Sequence, residues 1–220
     1  MTKGKAVLFD LDGTLLNTLE DLWRSTNLAL EECGFQTRTE EEVRNFVGNG
    51  AGLLIRRCLP GGEENPRFGE CLKLFRKRYG EHMYDHTRPY EGVEDMLDSL
   101  AKRGVRIAVV SNKPDFAVKE LCRQMFPSTV SLAIGESEGV RRKPAPDTVE
   151  AAARGLGVRL DECVYVGDSE VDVETAANAG IRCISVSWGF RSREALKKAG
   201  AVQIADHCGE LLAYLEEAVG

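Results

Sequence analysis

Short apolar runs recur along the chain at residues 6–9, 105–110, 131–134, 163–166, 183–186 and, more weakly, 202–204. Several carry apolar side chains at consecutive positions, so both faces of each strand are buried, as in a parallel sheet covered on both sides. Helical patterns lie between them. Residues 93–102 end before Gly104 and residues 171–178 end before Gly180, the residue type that most readily takes the left-handed turn closing a helix. This alternation predicts an α/β fold with a Rossmann-like parallel sheet at its core.

Residues 17–88 break the alternation, since their pattern is mostly helical and they stand between the first strand and the second. They predict an inserted α-helical cap domain at 17–88, with residues 1–16 and 89–220 forming the α/β core. Thr18 with Asp21 and Thr39 with Glu42 have the spacing of capping boxes, and residues 70–85 form a long amphipathic pattern. Gly61-Gly62 marks a break, and Pro89 and Gly92 mark the return to the core.

Composition narrows the function classes. With 220 residues, 29% charged and 43% hydrophobic, the chain has a globular balance and length enough to bury a sizeable core. A net charge of -6 and a pI near 5.3 offer no broad basic face, so neither nucleic acid nor a membrane surface is an expected partner. A small molecule is. The apolar run that begins at Ala6 meets Asp10 too soon to be a signal segment, which predicts a cytoplasmic protein. Seven dispersed cysteines without a CxxC spacing read as reduced and structural, and His82 and His86 read as surface or packed residues, not as a metal pair.

The chemistry gathers where the apolar runs end. Asp10 and Asp12 stand two apart, so extended backbone presents both carboxylates to one face, and a cation or a shared proton is needed to relieve their repulsion. That pair suggests a metal-assisted site with a carboxylate nucleophile and an acid/base partner, with a plain turn and helix cap as the alternative. In parallel α/β sheets ligands collect beyond the carboxyl ends of the strands. There the chain places Asp10 and Asp12, then Ser111-Asn112-Lys113, then Lys143-Pro144, then Gly167-Asp168-Ser169 with Asp172. Ser111, Asn112 and nearby N–H groups can cradle a phosphate oxygen or simply cap a helix. Lys143 can put a positive charge on a transferring phosphoryl group, although the run Arg141-Arg142-Lys143 taken alone reads as a solvated face. Asp168 and Asp172 can supply oxygen ligands of the kind Mg²⁺ prefers, or complement a helix dipole.

In this order the four segments resemble the motifs of the haloacid dehalogenase superfamily of phosphatases: Asp10-Leu11-Asp12-Gly13-Thr14, Ser111-Asn112, Lys143, and Gly167-Asp168 through Asp172. The resemblance implies that Asp10 is the nucleophile, forming an aspartyl-phosphate, and that Asp12 is the general acid and then the base. It implies Mg²⁺ held by the Asp10 carboxylate, the Asp12 main-chain oxygen and Asp168, with Asp172 in support, and a phosphoryl group held by Ser111, Asn112 and Lys143. Asp12 sets the chain apart from the dehalogenases, the lack of any lysine between Lys5 and Lys73 argues against a phosphonoacetaldehyde hydrolase, and Thr14 leans toward a phosphatase over a mutase.

Residues 44–51 resemble the cap of phosphoglycolate phosphatases, where a glycine-rich turn faces the active site; the alternative is a helix-to-helix turn ended by Gly48 and capped by Asn49. Arg44, Arg56 and Arg57 are candidates to pair with a substrate carboxylate. Trp188-Gly189-Phe190 reads as packing. The expected activity is Mg²⁺-dependent hydrolysis of a small phosphorylated metabolite, foremost 2-phosphoglycolate. The alternatives are a pyrophosphatase, a phosphosugar phosphatase or mutase, and a phosphate-binding regulatory protein without turnover.

Overall fold

Ala6–Phe9, all four side chains fully buried, form strand β1, from which the larger unit is built outward. A computed structural model describes residues 6–219. The chain divides into two compact units, one joining the segment up to Leu16 with Pro89 onward, the other spanning Asn17–Arg88.

In the first unit β1 lies between β4 (Arg106–Pro114) and β6 (Cys163–Gly167), with Ala6 level with Arg106 on one side and Cys163 on the other. Adding β5 (Leu132–Glu136), β7 (Arg182–Val186) and β8 (Ile204–Ala205) gives a six-stranded sheet in the order β5-β4-β1-β6-β7-β8, every pair parallel. The α/β sheet predicted from the apolar runs is present. Alternation sends Ala6, Leu8, Ala108, Val110, Cys163 and Tyr165 to one face, where they pack with Val149, Ala152 and Ala153 of α7 (Asp147–Leu156) and Ala176 of α8 (Glu170–Ala179). On the other face α5 (Val93–Lys102) and α10 (Cys208–Val219) contribute Val93, Leu97, Leu100, Leu211 and Leu215, all fully buried. Burying such side chains stabilises the unit by about 1.5–3 kcal/mol each.

Two strands differ from the pattern-based reading, the first in a way that matters for function. The second apolar run was expected to end at 110, yet β4 stays extended through Pro114, and after a shift of register Pro114 pairs with Glu136 of β5. Apolar content alone marked only the first part, because Ser111, Asn112 and Lys113 are polar and nonetheless buried. The last strand is Ile204–Ala205, while Val202 is almost wholly exposed.

A separate two-stranded sheet pairs β2 (Leu16–Asn17) with β3 (Arg88–Pro89). The second unit consists of α1 (Leu19–Glu32), α2 (Glu40–Phe46), α3 (Gly50–Cys58), a short 3-10 turn at Gly62–Glu64, and α4 (Phe68–His82). Leu22, Ala29, Leu30, Leu54, Ile55, Phe75 and Tyr79 are buried there. Thr39 and Glu42 close the expected capping box at α2, Glu42 N donating to Thr39 Oγ1 at 3.2 Å and Thr39 N to Glu42 Oε2 at 2.7 Å. The matching spacing at Thr18 and Asp21 does not make one: the Thr18 side chain caps nothing, and Asp21 accepts instead from the backbone of His86 and Thr87. Nor does Asn49 cap α3 with its side chain, although Gly48 does turn with a φ of 120°. All seven cysteines are free thiols, and no helix among the described residues is long and apolar enough to cross a membrane.

Candidate active site

β1 stops at Phe9, but Asp10 N still donates to Val166 O at 2.8 Å, which holds the next residue at the carboxyl edge of the sheet. Its carboxylate meets Lys143. The Lys143 ammonium donates to Asp10 Oδ1 at 2.7 Å, to Asp172 Oδ1 at 2.8 Å and to the Tyr165 hydroxyl at 2.9 Å, and its side chain is only 2% exposed. Arg141 and Arg142 point outward to Asp147 and Glu136, so the charged run divides: two solvated cations and one buried.

Asp172 sits in the first turn of α8, where its Oδ2 accepts from Ser169 N at 3.1 Å and Ser169 Oγ at 2.6 Å, and the Tyr165 hydroxyl donates to its Oδ1 at 3.0 Å. Asp168, at the end of β6, accepts from Phe190 N at 2.6 Å. The backbone packs tightly around it: a Cβ on Gly13, whose φ of +87° favours glycine, would lie 2.4 Å from Asp168 Oδ2, and one on Gly189 would lie 2.4 Å from both Asp168 Oδ2 and Gly13 O. Trp188 Nε1 donates to Thr14 O at 3.1 Å, which ties the segment carrying Gly189 to the loop carrying Gly13.

Carboxylate oxygens of Asp10, Asp168 and Asp172 lie within 4.8 Å of one another, all three residues buried. One ammonium therefore faces three acids in a nearly dry site. Burial, aided by the Asp172 and Asp12 charges and opposed by Lys143, pushes the Asp10 carboxyl up to about 7. Burial and the charges of Asp172 and Asp10 push Asp168 well above its usual range as well. Lys143 is raised as well, and for a group that is charged when protonated this favours the charge. Burial disfavours its charge, yet Asp10 and Asp172 outweigh that and hold it as an ammonium. The surplus negative charge and the all-oxygen donor set fit a hard divalent cation such as Mg²⁺.

The sequence expectation placed the Asp10 and Asp12 carboxylates together, relieved by one cation or proton. The structure gives Asp12 its own lysine: Lys113 Nζ donates to both Asp12 oxygens, at 2.7 and 2.8 Å, with the lysine side chain 3% and the aspartate 14% exposed. Asn112 is committed too. Its Oδ1 accepts from Lys143 N at 2.8 Å and its Nδ2 donates to Lys143 O at 3.0 Å, so its amide clamps the Lys143 backbone. Ser111 is buried, and its hydroxyl accepts from Lys113 N at 3.3 Å.

Sequence reasoning assigned no role to Lys113, Tyr165 or Ser169. The signal for Lys113 was its alternation with Ser111 at a strand end; for Ser169 it was the capping spacing to Asp172. Tyr165, inside an apolar run, gave none. In the helical unit Arg56 pairs with Glu63 at 3.7 Å and Arg57 Nη1 donates to Phe46 O at 2.8 Å, while Arg44 is exposed.

Comparison with known proteins follows the same lines. The family described as haloacid dehalogenase-like hydrolase matches residues 7–186. Phosphoglycolate phosphatase 1 of Pseudomonas aeruginosa is 31% identical, covering 97% of this chain and 80% of its own. The phosphoglycolate phosphatase of Aliivibrio fischeri is also 31% identical, with 97% of each chain covered. A crystal structure from Lactobacillus delbrueckii subsp. bulgaricus, provisionally assigned as a phosphoglycolate phosphatase, superposes with a TM-score of 0.92 at 37% identity, covering 97% of this chain and 98% of that one. The chain belongs to the haloacid dehalogenase-like hydrolase family and is an enzyme of the phosphatase kind within it.

Proposed function

We propose that the protein hydrolyses a small phosphomonoester, 2-phosphoglycolate foremost, through an aspartyl-phosphate on Asp10. The observation that carries this reading is the pair of carboxylates with separate ammonium partners, Asp10 on Lys143 and Asp12 on Lys113. Two acids in different surroundings can take different roles, one as nucleophile and one as proton carrier. The names and whole-length similarity of the relatives support the choice of substrate.

An Asp10 carboxylate oxygen attacks phosphorus, the bond from phosphorus to the ester oxygen breaks, and Asp12 gives that oxygen its proton. Asp12 then takes a proton from water as the water oxygen attacks phosphorus, and the bond to Asp10 breaks to release phosphate. One difficult step becomes two easier ones. The Lys143 ammonium lies where charge develops on the transferring group, the Ser111 hydroxyl and neighbouring N–H groups hold its oxygens, and Asn112 serves by fixing Lys143. Asp10, Asp168 and, in support, Asp172 would hold Mg²⁺, together with the Asp12 main-chain oxygen. When bound, it supplies charge neutralisation for the incoming phosphoryl group.

The experiment is Mg²⁺-dependent phosphate release from 2-phosphoglycolate beside pyrophosphate, phosphosugars and nucleotides, with Asp10→Asn as blank. A leading kcat/KM for 2-phosphoglycolate supports the substrate. A lead for pyrophosphate or a phosphosugar keeps the chemistry and replaces the substrate, and a stable phosphoprotein without turnover favours a regulatory protein instead.

A further inference from the structure

β4 continues through three polar, buried residues, and each has a distinct bond at the site. Ser111 accepts from Lys113 N at 3.3 Å, Asn112 clamps the Lys143 backbone, and Lys143 in turn holds Asp10. Lys113 holds Asp12. The register of β4 shifts between Val110 and Pro114, and this one segment reaches both carboxylates by separate routes, Lys113 directly to Asp12 and Asn112 through Lys143 to Asp10.

The Asp12–Lys113 bond links residues 101 apart in the sequence. Asp12 follows the end of β1, its backbone forms an isolated bridge with Leu16, and it precedes Gly13, whose positive φ turns the chain; these contacts hold the backbone and leave the carboxylate to be fixed by a side-chain partner. A lysine that grips both oxygens at 2.7 and 2.8 Å fixes it strongly, since charge-assisted bonds are about twice as strong as neutral ones. The ammonium can pay for its own burial only through such a partner, which makes the contact a stable feature of the resting site.

We infer that Lys113 is the positioning residue for Asp12: it holds that carboxylate at the place from which Asp12 protonates the leaving oxygen and later activates water, and it does so without touching the phosphoryl group itself. The inference rests on the proposed phosphatase mechanism. It predicts that Lys113 acts entirely through Asp12, so removing Lys113 matters only while Asp12 is able to carry a proton.

A double-mutant cycle tests this, with Lys113→Met, Asp12→Asn and the pair measured on the best alkyl phosphomonoester and on 4-nitrophenyl phosphate, whose leaving group needs no proton. Lys113→Met is expected to lower kcat on the alkyl ester by about 10²-fold, within the range of general acid–base catalysis, and to leave KM within about twofold. The first burst of nitrophenolate, which reports phosphorylation of Asp10 alone, should persist. In the Asp12→Asn background Lys113→Met should cost less than about twofold. Lys113→Arg, which keeps the charge, should recover part of the alkyl-ester rate, and it supplies the same cycle if methionine prevents folding. Losses that multiply in the double variant, or a Lys113→Met enzyme with wild-type kcat, overturn the inference while the phosphatase reading stands. Equal turnover by wild type and Asp10→Asn overturns that reading, and the inference with it.

Discussion

The Asn112 side-chain amide closes a two-bond clamp on Lys143, accepting from its N at 2.8 Å and donating to its O at 3.0 Å. Lys143 thereby reaches Asp10 and Asp172 from a fixed backbone position. Asn112→Ala leaves two buried backbone groups without these partners, at a cost of about 1–3 kcal/mol each, and loosens the ammonium. Asn112→Asp keeps the acceptor and loses the donor, so urea unfolding should rank it between wild type and Ala, with kcat falling in both. An alanine variant as stable and active as wild type would remove the clamp from the account.

In the helical unit, Asp21 is 1% exposed and accepts from His86 N at 3.0 Å, Thr87 N at 2.8 Å and Thr87 Oγ1 at 2.8 Å, with His86 Nδ1 also 3.0 Å away. Asp21→Ala strands two backbone donors and a hydroxyl, so thermal unfolding should show a loss of about 3 kcal/mol or more. A change under about 0.5 kcal/mol, the range of ordinary surface substitutions, would show that this network contributes little.

Gly189 has no room for a side chain, since a Cβ would lie 2.4 Å from Asp168 and from Gly13 O. Gly189→Ala should displace Asp168 from Asp10 and Asp172. Calorimetric titration with Mg²⁺ should then show at least about tenfold weaker binding, the scale of effect seen when groups that support metal ligands are disturbed. Unchanged affinity would argue against Asp168 as a ligand.

Asp10 supplies a pH test. Its carboxyl is raised from the usual 3.8 to about 7, so between those values the folded metal-free protein holds a proton that the unfolded chain has released. Stability from this group is fully present below about 3.8 and is lost as pH rises through about 7. The stability difference between metal-free wild type and Asp10→Asn should therefore move against wild type as pH rises from 5 to about 8 in thermal unfolding. Mg²⁺ should restore wild type most at the upper end, because it favours the ionised carboxylate. A difference flat with pH would contradict the raised carboxyl.

The sequence made the sheet and most of the site legible because parallel strands deliver their chemistry at carboxyl ends, where Asp10, Ser111, Lys143 and Asp168 could be found by position. What it hid depends on distant partners. The burial of Lys143 comes from Asn112, Tyr165 and Asp172, none of them near it in sequence, and its neighbours Arg141 and Arg142 are solvated. Asp21 has capping-box spacing, yet a segment 65 residues away takes its side chain. Lys113 lay beyond the apolar stretch that marked β4, so its place in the strand and its bond to Asp12 emerged only with the fold.

The most direct measurement is rapid acid quenching of the Asp12→Asn variant after mixing with Mg²⁺ and 4-nitrophenyl phosphate, whose leaving group needs no proton from Asp12, followed by mass spectrometry of its peptides. A phosphoryl group on the peptide containing Asp10, absent when Asp10→Asn is added, is the predicted result. Release of phosphate by wild type with Asp10→Asn equally active, and no phosphorylated peptide at any time, would contradict the account.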